Sequence, residues 1–153
     1  MNESERVRKA SELFSQGYNC AQAVFCAYSD LYGLDFDTSL RISSGFGGGF
    51  GRMREVCGAF SGITMIAGLE RESAQASDKA EVYGQIRLLA DEFKKRNGSI
   101  ICAELLGTKK SPESHVPEAR TQEYMKKRPC PQIVEDAARI IEEYVLKDRA
   151  KGE

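Results

Sequence analysis

The stretch from residue 44 to residue 68 reads SGFGGGFGRMREVCGAFSGITMIAG and holds eight of the chain's 14 glycines, with Cys57 near its centre. Glycine loses more conformational freedom on folding than any other residue, so such a cluster destabilises the folded state unless the backbone requires it. A positive φ, or close approach of the backbone to another group, creates that requirement. The stretch therefore predicts a sharply bent or closely packed loop, and a flexible connector is the alternative.

The second half of this stretch is apolar and predicts a helix over residues 56–69, with Cys57 early in it. Gly58 and Gly62 are four residues apart and therefore lie on one helix face, where they allow close contact with a neighbouring helix. A helix that is apolar nearly all round is typical of the centre of a bundle. We therefore expect a buried central helix that places a thiol beneath the glycine loop.

The rest of the chain predicts further helices and no strand. Apolar residues recur at helical spacing in the segments 3–16, 20–32, 73–97 and 131–144, and shorter helices are expected at 38–43, 100–106 and 118–127. In the longest helix we expect a buried stripe of Val82, Tyr83, Ile86, Leu89, Ala90 and Phe93. The fold class predicted is all-α: one compact domain over residues 1–153, built as a bundle of five to seven helices.

Composition excludes several classes of function. The chain is 41% hydrophobic and 29% charged, as in ordinary globular proteins, and its net charge of −1 gives no electrostatic footprint for nucleic acid. The N-terminal residues show no secretory signal, and the longest apolar run, 56–69, is too short to span a bilayer. We therefore expect a cytoplasmic protein that binds neither nucleic acid nor membrane.

The five cysteines are the candidate functional residues. In a reducing compartment several cysteines favour metal binding or redox chemistry, although burial as small apolar side chains is the alternative. Four of them lie at or near predicted helix starts, where backbone N–H groups and the helix dipole favour thiolate: Cys20, Cys57, Cys102 and Cys130. Basic residues near two of these cysteines also favour the thiolate form: Arg52, Arg54, Lys126, Lys127 and Arg128. Cys26 shares the polar side of its helix with Gln22 and Ser29, so we expect it to be dispensable.

The spacing of these cysteines narrows the chemistry. The chain has no CxxC motif, which excludes a thioredoxin-like pair and a zinc ribbon, and each of the four thiols comes from a different helix. Four converging thiolates suit an iron–sulfur cluster or tetrahedral zinc, and metal-free thiol–disulfide chemistry stays open. The glycines expected to face a cofactor and donate N–H groups to it are Gly47, Gly48, Gly49 and Gly58. The only histidine, His115, lies in a polar segment and is expected to be exposed.

The order of these motifs resembles the C_GCAxxG_C_C family. The matching residues are Tyr18-Asn19-Cys20-Ala21-Gln22-Ala23, Phe46-Gly47-Gly48-Gly49, Cys57-Gly58-Ala59-x-x-Gly62, Cys102 and Cys130. Family members are described as redox-active proteins, some of them selenoproteins, and the family is similar to the cluster-bearing part of split-Soret cytochrome c. The resemblance implies an iron–sulfur or redox role for the same four cysteines. One departure is that Cys57 precedes Gly58, whereas the family motif reads Gly-Cys-Ala. This moves the cysteine by one residue, about 100° around a helix.

These observations predict a small redox protein whose four helix-terminal cysteines bind an iron–sulfur cluster and transfer electrons. One alternative is a metal-free thiol–disulfide oxidoreductase, in which Cys20, Cys57, Cys102 and Cys130 are the catalytic redox thiols. A structural zinc site is the other alternative. The expected partner is a redox protein or a small-molecule reductant, and a homodimer is one candidate assembly.

Overall fold

The structure is a computed structural model that describes residues 3–108, 114–117, 119 and 121–146. The all-α fold is confirmed, with eight helices in the described residues: α1 Glu3–Ser15, α2 Cys20–Cys26, α3 Phe36–Ser43, α4 Gly58–Glu70, α5 Lys79–Asn97, α6 Cys102–Leu106, α7 Gln122–Lys127 and α8 Cys130–Ile140. Short 3₁₀ turns occupy Ser29–Tyr32, Ser44–Phe46 and Ala76–Asp78, and α8 continues into a π-helical turn, Ile141–Val145. Eight helices compare with the five to seven expected, and the three shortest, α2, α6 and α7, have only five to seven residues each.

Helix α4 is the central helix of the bundle, as its apolar sequence predicts. It contacts α2, α5 and α8, and its residues 58–63 are all buried. The closest approach is to α2, because a Cβ on Gly62 would lie 2.8 Å from Cβ of Val24 and 3.4 Å from the backbone N of Phe25. Carbon atoms do not pack closer than about 3.5 Å without strain. The face that carries the two glycines is therefore a packing face, and Gly62 makes room for the side chain of Val24.

The start of α4 differs from the prediction. The helix begins at Gly58, and Cys57 is its N-cap residue with extended backbone, whereas the sequence placed Cys57 inside the helix. The reason is that Val56 forms an antiparallel bridge with Ile101, and this bridge holds both segments of the chain in the extended conformation. Helix α6 is shortened at its start for the same reason and begins two residues later than predicted.

The second helix is also shorter than predicted. It starts at Cys20 as expected, because Asn19 and Gln22 form a capping box in which each side chain accepts from the backbone N–H of the other residue. It ends at Cys26, and a 3₁₀ turn follows in place of the expected helix to residue 32. Cys20 is therefore fixed at the first position of a capped helix.

The buried stripe predicted for α5 is wrong at Tyr83, whose exposed fraction is 61%. Leu89, Ala90 and Phe93 are buried as expected, while Val82 and Ile86 are half-buried. The fully buried residues of the helix therefore all lie in its C-terminal half. Across the described ranges, no helix combines the length and the apolar character that crossing a bilayer requires.

Candidate functional site

Four of the five cysteines line one small cavity at the starts of α2, α4, α6 and α8. The cavity has a volume of about 60 Å³, and its cysteines are Cys20, Cys57, Cys102 and Cys130. Cys57 and Cys102 are buried, whereas Cys20 and Cys130 are half-buried, and all five cysteines of the chain are present as thiols. The remaining lining residues are Phe14, Asn19, Gly48, Arg54, Leu105, Leu106, Tyr124 and Ile133. The fold thus brings together the four thiols that the sequence singles out.

The bridge between residues 56 and 101 fixes the relative position of two of these cysteines. The backbone N–H of Cys57 donates to the carbonyl of Ile100 at 2.7 Å, and that of Cys102 donates to the carbonyl of Glu55 at 2.7 Å. These two bonds flank the bridge on either side and set the register of the pairing. Backbone hydrogen bonds therefore fix Cys57 at the N-cap of α4 and Cys102 at the first residue of α6.

The glycine loop has an ordered, left-handed backbone. All five residues from 48 to 52 have a positive φ, between 54° and 71°. L-residues rarely adopt this conformation, and glycine at three of the five positions lowers its free-energy cost. The backbone N–H of Arg54 donates to the carbonyl of Gly48 at 3.1 Å, and that of Glu55 donates to the carbonyl of Gly49 at 2.9 Å. The loop is thus a bonded structure rather than a flexible connector.

Two glycines leave room for cysteine side chains. A Cβ on Gly58 would lie 2.6 Å from Sγ of Cys20, and a Cβ on Gly49 would lie 2.8 Å from Cβ of Cys102. A cysteine at position 58, where the Gly-Cys-Ala motif would place it, would therefore collide with Cys20. The cysteine at position 57 reaches the same cavity from the N-cap.

The two other glycines expected to face a cofactor have different contacts. Gly48 lines the cavity, and its N–H donates to the sulfur of Cys20. Gly47 packs against the side chain of Asn19, which fills the space a Cβ would occupy, and it does not line the cavity.

The thiols of Cys20 and Cys57 form a hydrogen-bonded pair. The pKa of Cys20 is lowered from 9.0 to about 6, chiefly because the Cys57 thiol donates a hydrogen bond to it, while burial acts in the opposite direction. The backbone N–H groups of Gly48, Ala21 and Ala59 also stabilise the Cys20 thiolate. These donors come from the glycine loop and from the starts of two helices, so the thiolate is held by three separate segments.

The pKa of Cys57 moves the other way and is raised well above 9.0. The causes are its hydrogen bond to Cys20, its burial and the negative charge of Cys20, and the N–H groups of Phe60 and Ala59 oppose them. Two thiols that interact this strongly titrate as a unit. At neutral pH the pair therefore shares one proton, with Cys20 as the thiolate and Cys57 as the thiol.

Arg54 places a positive charge in the cavity. Its Nη1 donates to Sγ of Cys102 at 3.6 Å, and only 6% of the residue is exposed. The sequence indicated that Arg54 would act on Cys57, three residues along the chain, but the side chain reaches Cys102 instead. Its φ of 63° explains the difference, since the left-handed backbone at this position redirects the side chain.

Cys26 does not line the cavity, as expected, and the side of α2 that it occupies is buried. It is 2% exposed and belongs to the hydrophobic core, and burial raises its pKa against the effect of the Ser43 hydroxyl. Its predicted neighbour Ser29 is buried as well. Because α2 packs against several other helices, its supposed polar side also faces the protein interior.

Two lining residues had no signal in the sequence. Tyr124 lines the cavity from α7, a helix too short to show a periodic pattern. Asn19 was predicted only as a helix cap, and it lines the cavity as well. His115 is exposed, as expected, and lies at a separate, larger cleft, whereas the side chains of Lys126 and Lys127 lie outside the described residues.

The donor type of the cavity fits a metal centre, since thiolates are ligands of zinc and of iron–sulfur clusters. The arrangement of the side chains does not fit a single ion. In the part of the chain that the structure describes, no group of three or more His, Cys, Asp or Glu side chains is placed to hold one. A zinc ion would therefore require the cysteines to rearrange.

Comparison with protein families finds a match to the family described as "Putative redox-active protein (C_GCAxxG_C_C)" over residues 18–144. No curated protein and no solved structure matches the chain. The family match covers most of the sequence, all five cysteines and the whole glycine loop. The chain therefore belongs to the C_GCAxxG_C_C family of redox-active proteins.

Proposed function

We propose that this protein carries out thiol–disulfide exchange, with Cys20 and Cys57 as its redox-active pair. The observation that carries the proposal is that Cys20 and Cys57 line the same cavity, with the sulfur of Cys20 2.6 Å from the Cβ position of Gly58, the residue next to Cys57. A disulfide requires two cysteines that are neighbours in the fold, and the effect of each thiol on the pKa of the other agrees with that proximity. The redox description of the family agrees with this proposal.

The environment assigns different roles to the two thiols. Cys20 is the nucleophile, because it is half-buried and its sulfur accepts N–H groups from three segments. Cys57 is buried and donates to Cys20, so it is the resolving thiol. An attacking sulfur must be accessible and a resolving sulfur must be adjacent, and the pair meets both conditions.

The reaction is balanced as a two-electron exchange. The Cys20 thiolate attacks one sulfur of a substrate disulfide, which forms a mixed disulfide and releases the first substrate thiolate. Cys57 then loses its proton to that leaving thiolate or to water and attacks the sulfur of Cys20, which releases the second substrate thiolate. The protein pair is oxidised to a disulfide, and the substrate disulfide is reduced to two thiols.

The test is a single-turnover oxidation of the reduced protein by bis(2-hydroxyethyl) disulfide, followed by mass-spectrometric mapping of the cysteines. We expect a disulfide between Cys20 and Cys57 and the release of two equivalents of 2-mercaptoethanol per protein. Cys57→Ser should stop at the mixed disulfide on Cys20, whereas Cys26→Ser should behave like the wild type. Oxidation that leaves Cys20 and Cys57 unlinked would contradict the proposal.

A second candidate is an iron–sulfur cluster held by the four cysteines. The observation in its favour is that Cys20, Cys57, Cys102 and Cys130 all line one cavity, with the amide of Gly48 at its wall. Such a cluster would supply one-electron transfer. Anaerobic purification with iron and sulfide analysis tests this candidate. Visible absorption that is lost in Cys102→Ser and kept in Cys26→Ser supports it. Protein that stays colourless after reconstitution with iron and sulfide contradicts it.

A further inference from the structure

An open cleft of about 320 Å³ adjoins the cysteine cavity. Four residues line both spaces: Asn19, Gly48, Arg54 and Tyr124. The volume falls within the range of about 300–1,000 Å³ that is usual for small-molecule sites. A molecule bound in this cleft would therefore lie next to the residues that surround Cys20.

The cleft has three arginines in its lining, Arg52, Arg54 and Arg128, and His115 lies at it as well. The guanidinium of Arg128 lies over the ring of Tyr124, 5.5 Å from its centroid, at the side shared with the cysteine cavity. The guanidinium of Arg54 donates to Cys102, whereas Arg52 and Arg128 line the cleft and not the cysteine cavity. Arginines around one cleft favour a ligand with oxyanion groups.

Arg52 also builds one wall of the cleft. Its Nη1 donates to the carbonyl of Ser114 at 2.8 Å and to the carbonyl of Val116. These bonds hold residues 114–117 against the glycine loop and bring His115 to the cleft. The lining of the cleft thus combines the glycine loop, residues 114–117 and the region around α7.

We propose that this cleft binds the carboxylate groups of a low-molecular-weight anionic disulfide, and so selects the disulfide that Cys20 reduces. The choice of a disulfide rests on the proposed thiol exchange, whereas the choice of an anion rests on the guanidinium groups of the cleft. Electrostatic attraction into the cleft raises the local concentration of such a substrate beside the cavity that Cys20 lines.

The anion site is tested without redox chemistry. Calorimetric titration with thiodiglycolate, a thioether dicarboxylate, should show binding that weakens as salt is added, because exposed charges are screened. Thiodiglycol, the matched neutral thioether, should not bind. Arg128→Gln should raise the Kd for thiodiglycolate about tenfold, equivalent to about 1.4 kcal/mol. Arg87→Gln is the charge-matched control, since Arg87 is exposed on α5 and does not line the cleft.

The selection of substrate is tested with two disulfides, dithiodiglycolate and bis(2-hydroxyethyl) disulfide. The rate of oxidation by dithiodiglycolate, divided by the rate with bis(2-hydroxyethyl) disulfide, should exceed one. Arg128→Gln should lower this ratio about tenfold, as it lowers the affinity for thiodiglycolate. Arg87→Gln should leave the ratio at its wild-type value. Using a ratio cancels any effect of the variant on the intrinsic reactivity of Cys20.

The outcomes separate this inference from the proposed function. If thiodiglycolate does not bind, or binds Arg128→Gln as tightly as the wild type, the anion site is overturned. If the Cys20–Cys57 disulfide forms but the rate ratio is the same in Arg128→Gln as in the wild type, the thiol exchange stands and the selection of an anionic disulfide fails. If thiodiglycolate binds while neither disulfide oxidises the pair, the anion site stands and the proposed exchange fails.

Discussion

The sulfur of Cys20 lies 2.6 Å from the position that a Cβ on Gly58 would occupy. The same position is 2.9 Å from the carbonyl oxygen of Phe46 and 3.1 Å from the backbone N of Ala21. A side chain at residue 58 would therefore displace both a thiol and a segment of backbone. The absence of a side chain at Gly58 is what allows the Cys20 thiol to sit against the start of α4.

Gly58→Ala should destabilise the protein by about 1–3 kcal/mol, because the new methyl group would contact both the sulfur of Cys20 and the carbonyl oxygen of Phe46. A rotation of the Cys20 side chain relieves the first contact, but the second requires the backbone at Phe46 to move. Gly58→Ala should also slow thiol exchange at Cys20. Denaturant unfolding and the rate of Cys20 alkylation measure the two effects. Gly68→Ala in the same helix is the control, since no atom lies within 4 Å of its Cβ position, and it should stabilise by about 0.4–1 kcal/mol. Equal stability of the two variants would show that position 58 has room for a side chain.

Gly62→Ala should likewise destabilise by about 1–3 kcal/mol, because the new methyl group would lie 2.8 Å from Cβ of Val24, an atom that cannot rotate away. Urea denaturation gives the free energy of unfolding. The double variant Gly62→Ala with Val24→Ala should lose less stability than the sum of the single variants, because the second change removes Cγ1, which is also at 2.8 Å. A Gly62→Ala midpoint above that of the wild type would exclude this contact.

The rate at which iodoacetamide alkylates Cys20 should depend on pH with a midpoint near its pKa of about 6. The thiolate is the reactive form, so the rate should be constant at neutral pH and fall as the pH drops through that value. Cys57→Ala removes the donor that contributes most to the lowered pKa and should move the midpoint upwards, towards 9.0. Peptide mapping after timed alkylation follows Cys20 alone. A wild-type midpoint near 9.0 would contradict the hydrogen-bonded pair.

Cys26→Ala should leave thiol exchange intact and lower stability by about 1 kcal/mol, because it removes a buried sulfur from the core without touching the cavity. Cys20→Ala should abolish the exchange. Oxidation by bis(2-hydroxyethyl) disulfide and thermal unfolding compare the two variants. Loss of exchange in Cys26→Ala, with the fold retained, would show that Cys26 takes part in the exchange besides Cys20 and Cys57.

The features that the sequence predicts best are those determined by neighbouring residues. The start of α2 follows from the capping box of Asn19 and Gln22, which are three residues apart. The packing face of α4 follows from the spacing of Gly58 and Gly62. Helix starts are encoded by neighbouring residues. The four cysteines that the sequence places near helix starts are therefore the same four that line the cavity.

The features that the sequence does not predict depend on distant partners. Cys57 is outside α4 because Val56 pairs with Ile101, and no local pattern marks that pairing. Arg54 reaches Cys102 because a left-handed backbone redirects it. The exposure of Tyr83 reflects where the core ends along α5, and that boundary is set by the helices packed against it.

The cavity has consequences for when reactivity is acquired during folding. Its cysteines enter the chain at positions 20, 57, 102 and 130, so each one is synthesised in a different part of the sequence. During translation Cys20 leaves the ribosome long before α8 exists, and until the helices dock it is an ordinary thiol. Closing such long loops is slow compared with forming single helices. The groups that lower the pKa of Cys20 belong to Ala21, Gly48, Cys57 and Ala59, so its reactivity is acquired when α2, the glycine loop and the start of α4 dock, without any contribution from α8.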